Sequence, residues 1–125
     1  MQVVILVMRR KSIAQGLVRM LMKKSTLSIY FEPDYVDVDD AIRSIGAKVA
    51  LIEVAEYDEY GISYCLALCS CLRKETPDCK LILMCSEKDE KCVDEVVSAK
   101  KNRCIDDFVF YDTSVEYIAA KLAVL

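Results

Sequence analysis

The sequence contains no histidine and no tryptophan, and its 125 residues include three glycines and two prolines. The absence of histidine removes the usual general base of enzymes and the usual partner of a catalytic serine or cysteine. No repeat, linker or low-complexity segment interrupts the chain, and its length suits one domain with a sizeable core. We therefore expect residues 1–125 to form a single domain.

The sequence also lacks a long hydrophobic run. No run approaches the roughly 18 apolar residues of a membrane span, and the N-terminal run 3–8 is too short for a signal peptide. We expect a cytoplasmic protein with no membrane partner.

Cysteine is abundant, but its spacing lacks a metal-binding pattern. No two cysteines form a Cys-x-x-Cys pair, and zinc is unexpected without such pairs or histidine. In a reducing cytosol these residues are best interpreted as small buried hydrophobic side chains, with Cys65 and Cys69 on one helix face. The seven are Cys65, Cys69, Cys71, Cys79, Cys85, Cys92 and Cys104. We predict neither a metal nor a cofactor.

Charge is distributed unevenly along the chain, although the net charge is only -3. Residues 1–31 contain six basic residues and no acidic residue, whereas residues 32–60 contain nine acidic residues. The basic residues lack interleaved aromatic residues, so solvated helix faces explain them better than nucleic-acid binding does. We predict no direct contact with nucleic acid.

Five short apolar runs alternate with stretches long enough for helices. This alternation is typical of an α/β domain in which helices connect parallel strands. The runs are Val3–Met8, Leu27–Phe31, Val49–Val54, Leu81–Cys85 and Phe108–Tyr111. Glu53 lies at the end of the third run, where a doubly wound sheet places its chemistry.

Several residues mark the predicted helix ends. Gly46 is predicted to end the second helix and Pro77 to terminate the third. The fourth helix is predicted to begin near Ser86, and the pattern from Thr113 to Glu116 predicts a capping box for the fifth.

At these positions the chain resembles the receiver domain of bacterial response regulators. The run 49–54 resembles the third strand of that family, Gly61 takes the place of its glycine before the third helix, and residues 105–110 resemble its approach to the fifth strand. The resemblance implies a flavodoxin-like five-stranded parallel sheet in the order 2-1-3-4-5, with the site at the carboxyl ends of strands one and three.

The active-site residues of the family do not carry over, which suggests a degenerate pseudo-receiver. The two acids that hold Mg²⁺ correspond to Met8 and Arg9, and the aspartate that accepts phosphate corresponds to Glu53. The hydroxyl residue after strand four, the lysine after strand five and the switching aromatic residue correspond to Cys85, Tyr111 and Phe108. The positive charge of Arg9 should exclude Mg²⁺, and we predict an ion pair between Arg9 and Glu53.

Two other chemistries compete for this region. Glu56, Asp58 and Glu59 could form a carboxylate site for a cation, but Arg9 would oppose it. Cys85 could act as a redox sensor, but no resolving cysteine is evident, and core packing is the better interpretation.

The sequence therefore predicts a receiver-like signalling domain that contacts a protein partner and does not accept phosphate. The alternatives are an N-terminal regulatory domain of a longer DNA-binding regulator and an enzyme on the same fold. Apolar and aromatic residues near the last strand and helix also predict a homodimer, because the family uses this surface for assembly. These residues are Val109, Phe110, Tyr111, Tyr117 and Ile118.

Overall fold

Strands and helices alternate along the chain in the computed structural model, which describes residues 2–23, 27–56, 59–110 and 113–123. In order, the elements are β1 Gln2–Val7, α1 Lys11–Leu21, β2 Leu27–Glu32, α2 Val38–Ile45, β3 Val49–Glu53, α3 Ile62–Glu75, β4 Lys80–Cys85, α4 Glu90–Lys101, β5 Asp107–Phe110 and α5 Val115–Ala123.

All strand pairs are parallel, and the sheet order is β2-β1-β3-β4-β5. This confirms the predicted flavodoxin-like topology. The predicted runs overlap the observed strands, and the ends that the structure describes differ by at most one residue.

A hydrophobic core lies on each side of the sheet, because side chains along a strand alternate between its faces. The first core joins the sheet to α1 and α5 through residues such as Leu17 and Ile118. The second joins it to α2, α3 and α4 through residues such as Ile42, Leu72 and Val96. The five residues of β3 are all buried, since this strand is the middle one of the sheet.

The helix ends agree with the sequence in part. Gly46 ends α2 in the left-handed conformation, with φ of 66°, and α3 ends at Glu75, just before Pro77. The prediction for α4 was wrong, because Asp89 rather than Ser86 caps this helix by accepting a hydrogen bond from the Cys92 N–H. No helix within the described ranges is long and apolar enough to cross a membrane.

Candidate functional site

Glu53 is the last residue of β3, and its carboxylate binds groups of the two arginines that follow β1. The residue is only 2% exposed. Its Oε1 accepts hydrogen bonds from the backbone N–H groups of Arg9 and Arg10, at 2.8 and 3.2 Å. Helix α1 follows directly and has no acidic residue in its first turn. Glu53 therefore places a negative charge beside a helix N-terminus, where the helix dipole stabilises it.

The side chain that pairs with Glu53 belongs to Arg10, so the predicted ion pair with Arg9 was wrong. Arg10 Nε lies 3.3 Å from Glu53 Oε2, and the same guanidinium lies 3.3 Å from Glu56 Oε1. The Arg9 guanidinium lies over the Tyr60 ring, 5.4 Å from its centroid. Both arginines contribute an N–H to Glu53, but their side chains diverge. The sequence pointed to Arg9 rather than Arg10 because Arg9 corresponds to the second metal-binding acid of receiver domains.

These residues do not fit the Mg²⁺ site that receiver domains use. Met8 is fully buried in the core beneath α1 and α5 and offers no hard oxygen ligand. The oxygens of Glu53 already accept two N–H groups and contact a guanidinium. Mg²⁺ is usually bound by one or two carboxylates, with waters and phosphates completing its octahedron. A cation beside Arg10 would face its positive charge, and both oxygens of the Glu53 carboxylate are already engaged.

Three tyrosines form a cluster that was not predicted, and one of them reaches the backbone of Glu53. The Tyr35 hydroxyl donates a hydrogen bond of 2.6 Å to the Glu53 carbonyl. The Tyr35 and Tyr60 rings stack with centroids 4.4 Å apart, and Tyr64 packs edge-on against Tyr60 at 4.9 Å. Tyr35 lies in the segment after β2, and no spacing in the sequence connects it with Glu53.

Cys85, which corresponds to the hydroxyl residue of the family, is 1% exposed at the end of β4. Cys92, which is 3% exposed, lies within hydrogen-bond distance of it. A hydrogen bond from Cys85 lowers the pKa of Cys92, against the opposing effect of burial. Sequence reasoning did not identify this neighbour, because the two cysteines lie on different elements. Their burial favours packing over reaction with solvent oxidants.

The other cysteines divide into buried and exposed groups. Burial raises the pKa of Cys69 to about 12 and that of Cys79 to about 11, so both thiols stay protonated. Cys65 is also buried, on the same face of α3 as Cys69. The expectation of burial was wrong for Cys71 and Cys104, which are exposed.

No group of three metal-ligating side chains occurs in the described part of the chain. Asp58, a member of the alternative cation site, lies outside that part.

Phe108, for which the sequence predicted correspondence with the switching aromatic residue of receiver domains, is partly buried. Its ring lies 5.6 Å from that of Phe110, and Lys100 Nζ lies 5.7 Å from its centroid. Tyr111, which corresponds to the family's lysine, lies outside the described residues.

Asp107 forms a second charged cluster at the start of β5. Its carboxylate lies 3.0 Å from Lys100 Nζ of α4 and 3.0 Å from Lys121 Nζ of α5. Partial burial raises the pKa of Asp107, but hydrogen bonds from Lys121, Lys100 and the Phe108 N–H outweigh burial and leave this pKa below its ordinary value. Asp107 thus connects three elements through charge.

The surface proposed for dimerisation is smaller than the sequence predicted. Val109 and Ile118 are 4% and 1% exposed, because they face the core beneath α1 and α5. Phe110 is partly buried against the opposite core, whereas Tyr117 is 53% exposed. The prediction that Val109 and Ile118 belong to the exposed surface was wrong.

Solved structures similar to this chain include several response regulators. A DNA-binding response regulator of the LuxR family from Staphylococcus aureus superposes with a TM-score of 0.77 at 15% identity, covering 99% of this chain and 98% of that one. A response regulator from Thermotoga maritima gives 0.78 at 15% identity, covering 98% and 95%. The RcsB response regulator of Salmonella typhimurium gives 0.75 at 13% identity, and the match covers 98% of this chain but only 60% of RcsB.

Sequence comparison adds no closer relative. No protein-family model matches the chain, and no curated protein sequence is significantly similar to it. At these identities the structural matches establish the fold alone. The chain therefore has the fold of response-regulator receiver domains.

Proposed function

We propose that this chain is a receiver-like signalling domain that does not accept phosphate and acts by contact with a protein partner. The observation that carries the proposal is the Glu53 carboxylate, whose oxygens are held by two backbone N–H groups and the Arg10 guanidinium. Residues 1–125 form the domain, which we place in the cytoplasm and regard as non-enzymatic.

The chemistry of phosphoryl transfer supports this proposal. An acyl phosphate forms when a free carboxylate attacks phosphorus while a metal ion neutralises the phosphoryl oxygens. Here the carboxylate is engaged on both oxygens, and Met8 and Arg9 supply no ligand for the metal. The contacts from Arg10 and the backbone instead join β1, β3 and the start of α1 without a metal, so the domain stays in one conformation.

The test is incubation with acetyl phosphate and Mg²⁺, followed by intact mass measurement. We expect no added phosphoryl group on the wild-type chain. The Glu53→Asp variant should also stay unlabelled, because Met8 and Arg9 still provide no metal ligand. A receiver domain with the complete set of acids serves as the positive control. Stoichiometric, Mg²⁺-dependent labelling that Glu53→Gln abolishes would overturn the proposal.

A second candidate is the regulatory domain of a longer regulator. It is favoured by the match to RcsB, in which the shared domain accounts for 60% of that chain. The S. aureus protein is described as DNA-binding, and for this chain any such contact would belong to an additional output domain. An open reading frame that continues into an output domain would support this candidate.

We also propose a homodimer through β5 and α5, with Tyr117 as its exposed aromatic contact. One aromatic residue makes a small contact, so we expect self-association only at high protein concentration. Sedimentation should show a dimer at high micromolar concentration that Tyr117→Lys removes. A monomer throughout that range would refute the dimer.

A further inference from the structure

An apolar groove lies between α1 and the edge strand β2, and Glu53 is not among its lining residues. It has a volume of about 340 Å³ and is lined by Lys11, Ala14, Gln15, Val18, Arg19 and Phe31. Leu27, Ile29 and Phe31 of β2 point towards the α1 side of the sheet, and they become progressively less covered along the strand. Leu27 is 8% exposed, Ile29 is partly buried and Phe31 is 37% exposed. Helix α1 therefore leaves Phe31, the last of these three side chains, partly exposed.

The rim of the groove is basic. Lys11, Gln15 and Arg19 follow one another at four-residue intervals along α1, so they share one face of the helix. Within the described residues neither Lys11 nor Arg19 forms an ion pair, in contrast to Arg10, Arg43 and Arg73. Residues 1–31 contain no acid that could neutralise the two cations locally.

The spacing of the cations matches an extended peptide. Lys11 and Arg19 are separated by eight residues of helix, about 12 Å along the axis. In an extended segment, residues four apart lie about 13 Å apart and point to the same side, as does the residue midway between them. Two carboxylates at such positions could reach Lys11 and Arg19 while a central apolar side chain enters the groove beside Phe31.

We propose that this groove, which we call the α1–β2 groove, binds an extended acidic segment of a protein partner. The segment has an apolar residue flanked, two positions away on each side, by Asp or Glu. β2 is the edge of the sheet, and extended segments commonly bind beside such strands. The inference rests on the proposed function only in that the partner is a protein. It holds whether or not Glu53 accepts phosphate.

The experiment is a titration of the ¹⁵N-labelled domain with a seven-residue peptide in which two glutamates flank a central leucine in this pattern. We expect saturable amide shifts at Ala14, Val18 and Phe31, and an affinity that weakens with added salt because the rim pairs are exposed. A peptide with lysines in place of the glutamates should not bind. A peptide with serine in place of leucine should bind at least ten-fold more weakly.

Variants of the domain provide the matched controls. Lys11→Glu combined with Arg19→Glu should weaken binding at least ten-fold, and Phe31→Ser should do the same through loss of the apolar contact. Lys91→Glu makes the same charge change on an exposed lysine of α4 and should leave binding unchanged. The proposal is overturned by absence of saturable binding, by shifts centred elsewhere, by equal binding of the lysine peptide, or by equal loss in Lys91→Glu. None of these outcomes depends on whether Glu53 accepts a phosphoryl group.

Discussion

Glu53 and Asp107 are both carboxylates that join several elements, but their partners differ in kind. Glu53 is 2% exposed and accepts two main-chain N–H groups beside the start of α1. The Asp107 side chain is 15% exposed, and apart from the N–H of the adjacent Phe108 it binds two lysines that are 48% and 24% exposed. The main-chain donors to Glu53 belong to a distant segment and restrict its backbone, whereas the lysines reach Asp107 through flexible side chains. We infer that Glu53 determines the conformation of the site and that Asp107 only supports the packing of α4 and α5.

The largest effect is expected when each carboxylate is replaced by its amide. Glu53→Gln should lower the free energy of unfolding by about 2–3 kcal/mol, because a buried charge-assisted network is lost. Asp107→Asn makes the same chemical change and should cost about 0.5–1 kcal/mol, since its lysine partners keep part of their surface in solvent. Urea denaturation of both variants measures the difference. Equal costs would remove the distinction between the two sites.

A double-mutant cycle measures how strongly the Arg10 side chain interacts with Glu53. Arg10→Met and Glu53→Gln should show a coupling of about 1 kcal/mol, because the guanidinium is partly exposed while its partner is buried.

The matched control is Arg9→Met, which leaves the Arg9 N–H in place and removes only the contact with the Tyr60 ring. Its effect should be additive with that of Glu53→Gln to within about 0.5 kcal/mol. Coupling through Arg9 but not through Arg10 would contradict the geometry of the site.

The smallest effect is the pH dependence contributed by Asp107. Its pKa is lower in the folded state than in the unfolded chain, where it is about 3.9. The stabilisation is therefore complete above the unfolded pKa and is lost as the pH falls through the folded one. The stability difference between wild type and Asp107→Asn should be constant near neutral pH and shrink below about pH 4. A stability difference that grows as the pH falls would contradict a lowered pKa of Asp107 in the folded state.

Much of the fold was predictable because strand and helix patterns are local. The apolar runs located all five strands to within about one residue, and Gly46 marked a helix end through its left-handed backbone. The start of α4 was misplaced because Ser86 and Asp89 are both good capping residues, and only the hydrogen bond to the Cys92 N–H distinguishes them.

The site was predictable only in its central residue. Glu53 follows from its place at the end of an apolar run, but the choice between Arg9 and Arg10 depends on how the chain turns from β1 into α1. The Tyr35 hydroxyl and the neighbouring thiols of Cys85 and Cys92 depend on contacts between separate elements. No short sequence spacing encodes such contacts.

The sequence by itself determined the alternation of strands and helices, the carboxylate at the end of β3 and the absence of acids after β1. These features depend on local hydrophobic pattern and residue identity. Only the tertiary structure decided that Arg10 pairs with Glu53, that Val109 and Ile118 are buried, and that Phe31 lies open beside two cations of α1. The reason is that side-chain partners and exposure depend on how helices pack across the sheet, over distances that a local pattern does not record.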